Sequence, residues 1–186
     1  MNKLSPKLKN QKGMLIWITG LAGAGKSTLA LELYNRIKGI MPAVLIDGDV
    51  FREIIGDNLG HGIEDRRVVA FRIARMNKFL VDYNINVICA TISLFKEIHN
   101  WNKKNIPNLI EVFIDVPMDI LKARDHKNIY SRAIRGELGN VMGIHHKFDK
   151  PKNPSFVLVN DKKLDSFFKK AEEIAELIFN NYDKNN

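Results

Sequence analysis

The chain has 186 residues, of which 45 % are hydrophobic and 27 % charged, and this composition is typical of a globular protein with a single domain. No apolar run approaches the roughly 20 residues that a membrane-spanning helix needs, and the N-terminus lacks the apolar core of a signal peptide. The formal net charge of +8 allows two interpretations, nucleic-acid binding or a surface that handles small polyanions; scattered basic residues without a recognised RNA- or DNA-binding motif favour the second.

The N-terminal segment and the single cysteine give two further predictions, a flexible tail and the cellular compartment. Residues 1–13, which are rich in lysine, are predicted to be a flexible N-terminal tail ahead of one domain at 14–186. The single cysteine, Cys89, lies in the apolar run 87–90 and is predicted to be a small buried residue. Without a disulfide framework, a reducing cytoplasm is the expected location, with no membrane and no nucleic acid among the expected partners.

A glycine-rich stretch at residues 20–28 is the most informative part of the sequence, because it fits the pattern G-x-x-x-x-G-K-S of a phosphate loop. An apolar run at 14–19 precedes it and predicts a buried parallel strand. Apolar residues at helical spacing follow it, and this pattern ends at Gly39. A strand, a glycine loop and a helix N-terminus in this order present backbone N–H groups and the positive end of the helix dipole to phosphate. The sequence therefore predicts a nucleoside triphosphate site.

Two side chains of this loop have predicted roles. Lys26 is predicted to reach the β- and γ-phosphates, and the Ser27 hydroxyl is predicted to ligate Mg²⁺. The alternative is a chance glycine-rich turn. The ATP-binding residues predicted in the loop are Gly20, Gly23, Ala24, Gly25, Lys26, Ser27 and Thr28.

Strands and helices alternate along the rest of the chain. Further strands are predicted at 43–46, 87–90, 109–114 and 156–159, and helices at 65–83, from Pro117 toward Arg124, and at 165–182. Five short apolar segments separated by helices predict an α/β fold, a five-stranded parallel sheet with helices on both faces. Ligands of such sheets gather beyond the carboxyl ends of the strands.

The amphipathic patterns of the two long helices predict which residues face inward. For the first helix the predicted inward residues are Val68, Val69, Ile73, Met76, Phe79 and Leu80. For the second they are Phe167, Phe168, Ile174, Leu177 and Ile178.

Residues 125–154 break the alternation. The segment is polar and basic, contains several glycines and has no strong period. A segment of this length inside a compact domain is usually functional or disordered. Its composition suits a basic lid that closes over phosphates and excludes water.

The acidic turn Asp47-Gly48-Asp49 follows the second predicted strand and suggests the type of reaction. The Asn-Lys-x-Asp motif of guanine recognition is absent, and the third strand ends without the acidic residue common in ATPases. Two carboxylates beside a phosphate loop suit a small-molecule kinase. We assign Asp47 to the hydration shell of Mg²⁺ and Asp49 to the attacking hydroxyl, although the two roles could be exchanged. The alternative is a solvent-exposed turn.

An ordered set of further motifs makes the chain resemble adenylylsulfate (APS) kinase from about residue 15 to residue 159. The matching residues are the phosphate loop, Asp47-Gly48-Asp49-x-x-Arg52, Asn58-Leu59-Gly60, Glu64-Asp65-Arg66, Ile92-Ser93, Arg124-Asp125, Lys127-x-x-Tyr130, Gly136-Glu137, Gly143-Ile144 and Pro151-x-Asn153-Pro154. The resemblance implies a P-loop kinase fold, Mg²⁺ bound with ATP, and phosphorylation of the 3′-hydroxyl of a nucleotide's ribose.

The resemblance also implies roles for single residues. Arg52, Arg66, Ile92 and Ser93 would face the acceptor nucleotide. Arg124 would face ATP. Lys127 would lie near the transferred phosphate and join the catalytic residues. Simpler alternatives are that the two arginines are surface helix charges, that Ser93 caps the helix after the third strand, and that Tyr130 is lid packing.

Departures from the family cluster on the acceptor side. His61 and Val141 replace two aromatic residues that sandwich the acceptor's adenine in the family, and Val69 replaces an asparagine that binds the acceptor. His145 and His146 replace an acidic pair in the family's lid. A metal site and a phosphate-facing or solvated role are both open for them. Base–aromatic stacking contributes about 1–3 kcal/mol per base, so the loss of both aromatic faces affects the acceptor.

The acceptor therefore stays open at this point. APS is the family's acceptor, with His61 and Val141 among the expected acceptor-binding residues. Related capsule-pathway sequences, which resemble this chain around His61, phosphorylate cytidine diphosphoramidate. A nucleotide-dependent switch and a nucleic-acid-binding protein are the alternatives from other functional classes. Because dimers are common among similar proteins, a homodimer is a further possibility.

Overall fold

The structure is a computed structural model that describes residues 12–55, 59–125, 127–161 and 164–185. Most of the predicted N-terminal tail and Asn58 lie outside the described residues. Within them, no helix is both long and apolar enough to cross a bilayer.

Five strands and seven helices follow one another in the described residues. The strands are β1 (Leu15–Thr19), β2 (Ala43–Asp47), β3 (Asn86–Thr91), β4 (Leu109–Asp115) and β5 (Phe156–Val159). The helices are α1 (Lys26–Ile37), α2 (Gly48–Ile55), α3 (Ile63–Asp82), α4 (Lys96–Asn105), α5 (Met118–Arg124), α6 (Ile129–Ile134) and α7 (Leu164–Asn185).

The strands form one parallel sheet in the order β2-β3-β1-β4-β5, as the α/β prediction requires. β1 lies in the centre with every residue buried, which explains its unbroken apolar sequence. In register, Thr19 pairs with Thr91 and with Phe113, so the chain leaves the carboxyl ends of these strands at one edge of the sheet. Helix α1 packs against α7, and α3 packs against α4, so both faces are covered.

The inward face of α3 differs from the prediction. Val68, Met76 and Phe79 are exposed, whereas the buried residues are Val69, Ala70, Ile73, Ala74, Asn77 and Val81. The inward stripe contains two alanines and an asparagine, because small side chains let the helix lie close to the sheet. A prediction from hydrophobicity alone favours the larger apolar residues on the neighbouring face of the helix.

The inward face of α7 also differs at one position. Phe167 is buried, but Phe168 is exposed. Consecutive residues of a helix lie about 100° apart, so Phe168 lies nearer the edge of the buried face than Phe167. The two phenylalanines instead meet edge to face, with ring centroids 6.0 Å apart.

A buried carboxylate fixes α4 on the sheet. Glu111 of β4 is buried, and its Oε1 lies 2.7 Å from His99 Nδ1. Its Oε2 lies 3.1 Å from Lys103 Nζ. A buried carboxylate requires such partners. These contacts hold α4, and with it the chain that leaves the end of β3.

Candidate active site

The phosphate loop connects β1 to α1 with a backbone that glycine makes possible. Gly23 and Gly25 have φ angles of 74° and 100°, in the left-handed region that disfavours other residues. A Cβ on Gly25 would also lie 2.7 Å from Asn160 Nδ2. Within the described residues, no side chain caps the start of α1. The first N–H groups of α1 can therefore bind an anion.

Lys26, the first residue of α1, turns back over this loop. Its Nζ donates a hydrogen bond of 2.9 Å to Leu21 O. Desolvation lowers the pKa of Lys26 to about 8, although Asp49 and Asp47 oppose this shift. A phosphate in the loop would supply the negative charge that this ammonium otherwise takes from the two carboxylates.

Asp47 ends β2 beside the phosphate loop. The Ser27 hydroxyl donates a hydrogen bond of 2.7 Å to Asp47 Oδ2, and Asp49 N–H donates one of 2.9 Å to Asp47 Oδ1. A hydroxyl and a carboxylate are oxygen ligands of the kind that Mg²⁺ prefers. In the described part of the chain, no three His, Cys, Asp or Glu side chains are grouped to hold a metal. The residues therefore fit an ion that takes its other ligands from phosphate and water.

Asp49, in the first turn of α2, extends away from Asp47 toward the chain after α5. Its Oδ2 lies 3.2 Å from Lys127 Nζ, and both side chains are largely exposed. The acidic turn and the predicted lid therefore meet in the cavity that the phosphate loop, Arg52 and Arg66 also line.

Two further residues that line the cavity are arginines bonded to backbone carbonyl groups. Arg52 Nη1 donates to Leu59 O at 3.3 Å and to Gly60 O at 2.9 Å. Arg66 Nε donates to His61 O at 2.9 Å, and its Nη2 donates to Asn140 O at 3.1 Å. The arginines are therefore not free surface charges. Desolvation, together with both guanidinium groups, lowers the pKa of His61, which favours the neutral imidazole.

The segment after α5 is tied to the phosphate loop through Tyr130. Asp125 accepts hydrogen bonds from Tyr130 N–H at 2.9 Å and Ser131 N–H at 2.8 Å, which fixes the start of α6. The buried Tyr130 then donates from its hydroxyl to Ala22 O at 2.8 Å. Tyr130 therefore packs, as the simpler alternative proposed, and also fastens this segment to the phosphate loop.

One cavity of about 840 Å³ contains most of the predicted site. The predicted residues that line it are Gly23, Gly25, Lys26, Ser27, Thr28, Asp47, Asp49, Arg52, His61, Arg66, Ile92, Ser93, Arg124, Lys127 and Val141. Gly20 and Ala24 are buried and are not among the lining residues. Gly20 is needed for close packing, since a Cβ there would lie 2.8 Å from Ile114 O.

Ser93 does not cap the helix after the third strand. The residue before α4 is Phe95, and the Ser93 hydroxyl lies 2.7 Å from the hydroxyl of Thr91. Ser93 is buried and lines the cavity with Ile92.

Comparison with known proteins agrees with this geometry. A model of the adenylylsulphate kinase family matches residues 12–159. The chain belongs to the adenylylsulphate kinase family. It is an ATP-dependent kinase, as the phosphate loop and the acidic turn predict.

Within the adenylylsulphate kinase family, the chain is similar to proteins whose names carry two different acceptors. The chain is 37 % identical to a cytidine diphosphoramidate kinase of Campylobacter jejuni, over 87 % of this chain and 94 % of that protein. It is 34 % identical to an adenylyl-sulfate kinase of Halothermothrix orenii, over 84 % of this chain and 85 % of that protein. The solved Mycobacterium tuberculosis APS kinase in complex with AMPPNP and APS matches with a TM-score of 0.80 and 30 % identity, covering 90 % and 98 % of the two chains.

Sequence reasoning missed one residue of this kinase site, Asn160. It follows β5 directly and is buried. Its Nδ2 donates to Ala24 O at 2.9 Å, and its Oδ1 accepts from Arg124 Nη2 at 3.3 Å. Its amide thus connects the phosphate loop to Arg124. The available signal was position alone, the first polar residue after the carboxyl end of a predicted strand.

Proposed function

We propose that this kinase transfers the γ-phosphate of ATP to the ribose 3′-hydroxyl of a nucleotide, with adenylylsulfate as the acceptor. The observation that supports it most is that the phosphate loop, an acidic turn and two arginines line one cavity. The loop suits the donor's phosphates, and the arginines suit an anionic acceptor on the other side.

The chain's residues divide the reaction between donor and acceptor. The loop amides and Lys26 bind the donor phosphates, while Ser27 and, through water, Asp47 would hold Mg²⁺. Bound Mg²⁺ neutralises charge on the phosphates. Arg124, which Asn160 orients, lies on the donor side. Each of these groups acts mainly by position and charge.

Asp49 is the proposed base. As the 3′-oxygen forms a bond to the γ-phosphorus, the bond from that phosphorus to the β–γ bridging oxygen breaks and ADP leaves. The hydroxyl proton passes to the Asp49 carboxylate and then to water. Lys127, 3.2 Å from Asp49, is close enough to stabilise the negative charge of the transferred phosphoryl group.

Cytidine diphosphoramidate is the second candidate acceptor. This chain has His61 and Val141 at the two positions where the family that it resembles has aromatic residues. The exchange leaves an adenine with less surface for stacking. The kinase of Campylobacter jejuni that is 37 % identical to this chain carries this acceptor in its name.

ADP release with ATP and Mg²⁺ tests the function. We expect release only with a nucleotide acceptor, and a higher kcat/KM with adenylylsulfate than with cytidine diphosphoramidate or plain nucleoside diphosphates. The product's phosphate position, by ³¹P NMR, should be the 3′-oxygen. A higher kcat/KM with cytidine diphosphoramidate establishes the second candidate instead, and release without any acceptor contradicts both.

A double substitution, His61→Phe with Val141→Phe, tests the reason for the second candidate. If missing stacking disfavours adenine, the double variant should turn over adenylylsulfate with a lower KM than the unmodified protein. Efficient turnover by the unmodified protein that the double change leaves unaltered contradicts the altered-base explanation.

A further inference from the structure

His145 makes a reciprocal pair of hydrogen bonds with Val141. Val141 N–H donates to His145 Nδ1 at 3.0 Å, and His145 N–H donates to Val141 O at 2.8 Å. Both peptide groups of Val141 are thus bonded to one residue four positions later. Because Nδ1 accepts, the ring hydrogen of the neutral imidazole is on Nε2.

The residue before Val141 is held from two further sides. Asn140 has a left-handed φ of 59°. Its Oδ1 lies 3.0 Å from His146 Nε2, and its carbonyl accepts from Arg66 Nη2 at 3.1 Å. Arg66 also donates to His61 O, so one guanidinium connects His61 to Asn140, the residue before Val141.

The same turn packs against the donor side. Gly143 has a φ of 86°, and a Cβ there would lie 2.7 Å from Met118 Cε and 3.2 Å from Leu21 Cδ1. Val141 and Met142 are 5 % and 3 % exposed, and both line the cavity. The turn is therefore held between the phosphate loop, α5 and α3, with Val141 on the cavity wall.

Neither histidine belongs to a group of three or more His, Cys, Asp or Glu side chains that could hold a metal in the described part of the chain. Each has one ring nitrogen engaged within the turn, His145 with Val141 N–H and His146 with the Asn140 side chain. Both side chains therefore make hydrogen bonds that stabilise the turn.

We infer that His145 is a positioning residue for the acceptor, which holds Val141 at the wall of the acceptor subsite and thereby sets acceptor selectivity. The inference rests on the proposed function, because it concerns the nucleotide acceptor of that same cavity. His145 acts through the Val141 backbone and touches no reacting atom. Its loss leaves the Val141 N–H without its acceptor and lets this part of the wall move.

Two substitutions at position 145 separate positioning from bulk. His145→Ala removes the acceptor, whereas His145→Asn carries Oδ1 on Cγ, where histidine carries Nδ1, and can still accept from Val141 N–H. Lys147→Ala, at an exposed position of the same segment, is the matched control. KM and kcat are measured separately for ATP, adenylylsulfate and cytidine diphosphoramidate, together with the melting temperature.

His145→Ala should raise the KM of the preferred acceptor about fivefold to tenfold, as expected for the loss of one hydrogen bond. The KM for ATP should change less than about twofold, and the ratio of kcat/KM between the two acceptors should move toward one. His145→Asn should restore both values, and Lys147→Ala should change neither.

Three results overturn the inference while leaving the proposed function in place. They are an unchanged acceptor KM in His145→Ala, equal rises in the KM for ATP and for the acceptor, and a defect in His145→Asn as large as in His145→Ala. Lack of acceptor-dependent ADP release in the unmodified protein overturns the proposed function, and the inference falls with it.

Discussion

Lys127 Nζ lies 3.2 Å from Asp49 Oδ2, and both residues line the same cavity as the phosphate loop. Both side chains are largely exposed, so the pair adds little to stability. Its importance is chemical, because it brings an exposed ammonium next to the proposed base. When a triphosphate binds, we expect Lys127 to exchange this carboxylate for the transferred phosphate.

Replacement of Asp49 with asparagine should reduce kcat about 100-fold or more, because the amide has the carboxylate's shape but takes no proton from the acceptor. ATP affinity should stay within about twofold, since donor phosphates are bound by the loop and Lys26. ADP-release kinetics and ATP titration measure the two quantities. Glu53→Gln, an exposed change on the same helix, is the control and should leave both unchanged. A kcat near that of the unmodified protein removes Asp49 from the mechanism.

Ser27→Ala should raise the Mg²⁺ concentration needed for half-maximal activity about tenfold or more, because the hydroxyl is a proposed ligand of the ion. The substitution also removes the 2.7 Å bond to Asp47 Oδ2. A Mg²⁺ titration at constant free ATP measures the effect. The melting temperature without ligand serves as the control, and it should shift little because Ser27 is exposed. An unchanged Mg²⁺ requirement contradicts the assignment.

Lys26 should take up a proton when ATP binds at alkaline pH. Its pKa of about 8 in the free protein means that the amine is largely neutral at pH values well above 8, and donor phosphates favour the charged form. Calorimetry in buffers of different ionisation enthalpy should therefore show uptake approaching about one proton per ATP at about pH 9, and close to none at about pH 7. The absence of uptake at both pH values contradicts the lowered pKa.

The same pKa has a consequence for stability. Between about pH 8 and the ordinary value of 10.5, the unfolded chain binds more protons than the folded chain, so stability rises with pH across this window. Below it, the folded protein carries a charged, desolvated amine. Lys26→Met should therefore raise the melting temperature of the free protein more at about pH 7 than at about pH 10. Thermal denaturation at the two pH values measures the difference.

Asn160→Ala should raise the KM for ATP about tenfold and leave the acceptor KM within about twofold, because it removes two hydrogen bonds on the donor side only. The bonds are those to Ala24 O and to Arg124. Combined with Arg124→Ala, the effect should be less than additive, since Asn160 acts partly through Arg124. Asp161→Ala, at the exposed neighbouring position, is the control. Equal changes in both KM values indicate a general loss of structure instead.

Much of the fold could be predicted from local pattern. All five strands lie where short apolar runs occur, because a parallel sheet buried on both faces requires such runs. Helices α2 and α4 are harder to predict from the sequence. Only Phe51 is buried in α2, and the sequence of α4 is rich in lysine and asparagine. Their positions depend on contacts such as that of His99 with Glu111, which no local pattern contains.

The phosphate loop and its chemistry were decided by the sequence alone, because glycines, a lysine and a serine at fixed spacing determine a local backbone conformation and its ligand. The family resemblance likewise depends on short motifs that follow one another in a fixed order along the chain. Only the tertiary structure decided how those motifs meet. Ser27 reaches Asp47, Arg66 joins His61 to Asn140, and Asn160 reaches Ala24 across 136 positions of the chain. The physical reason is that hydrogen bonds between distant segments depend on which strands are neighbours in the sheet, and strand order is a property of the whole packed core.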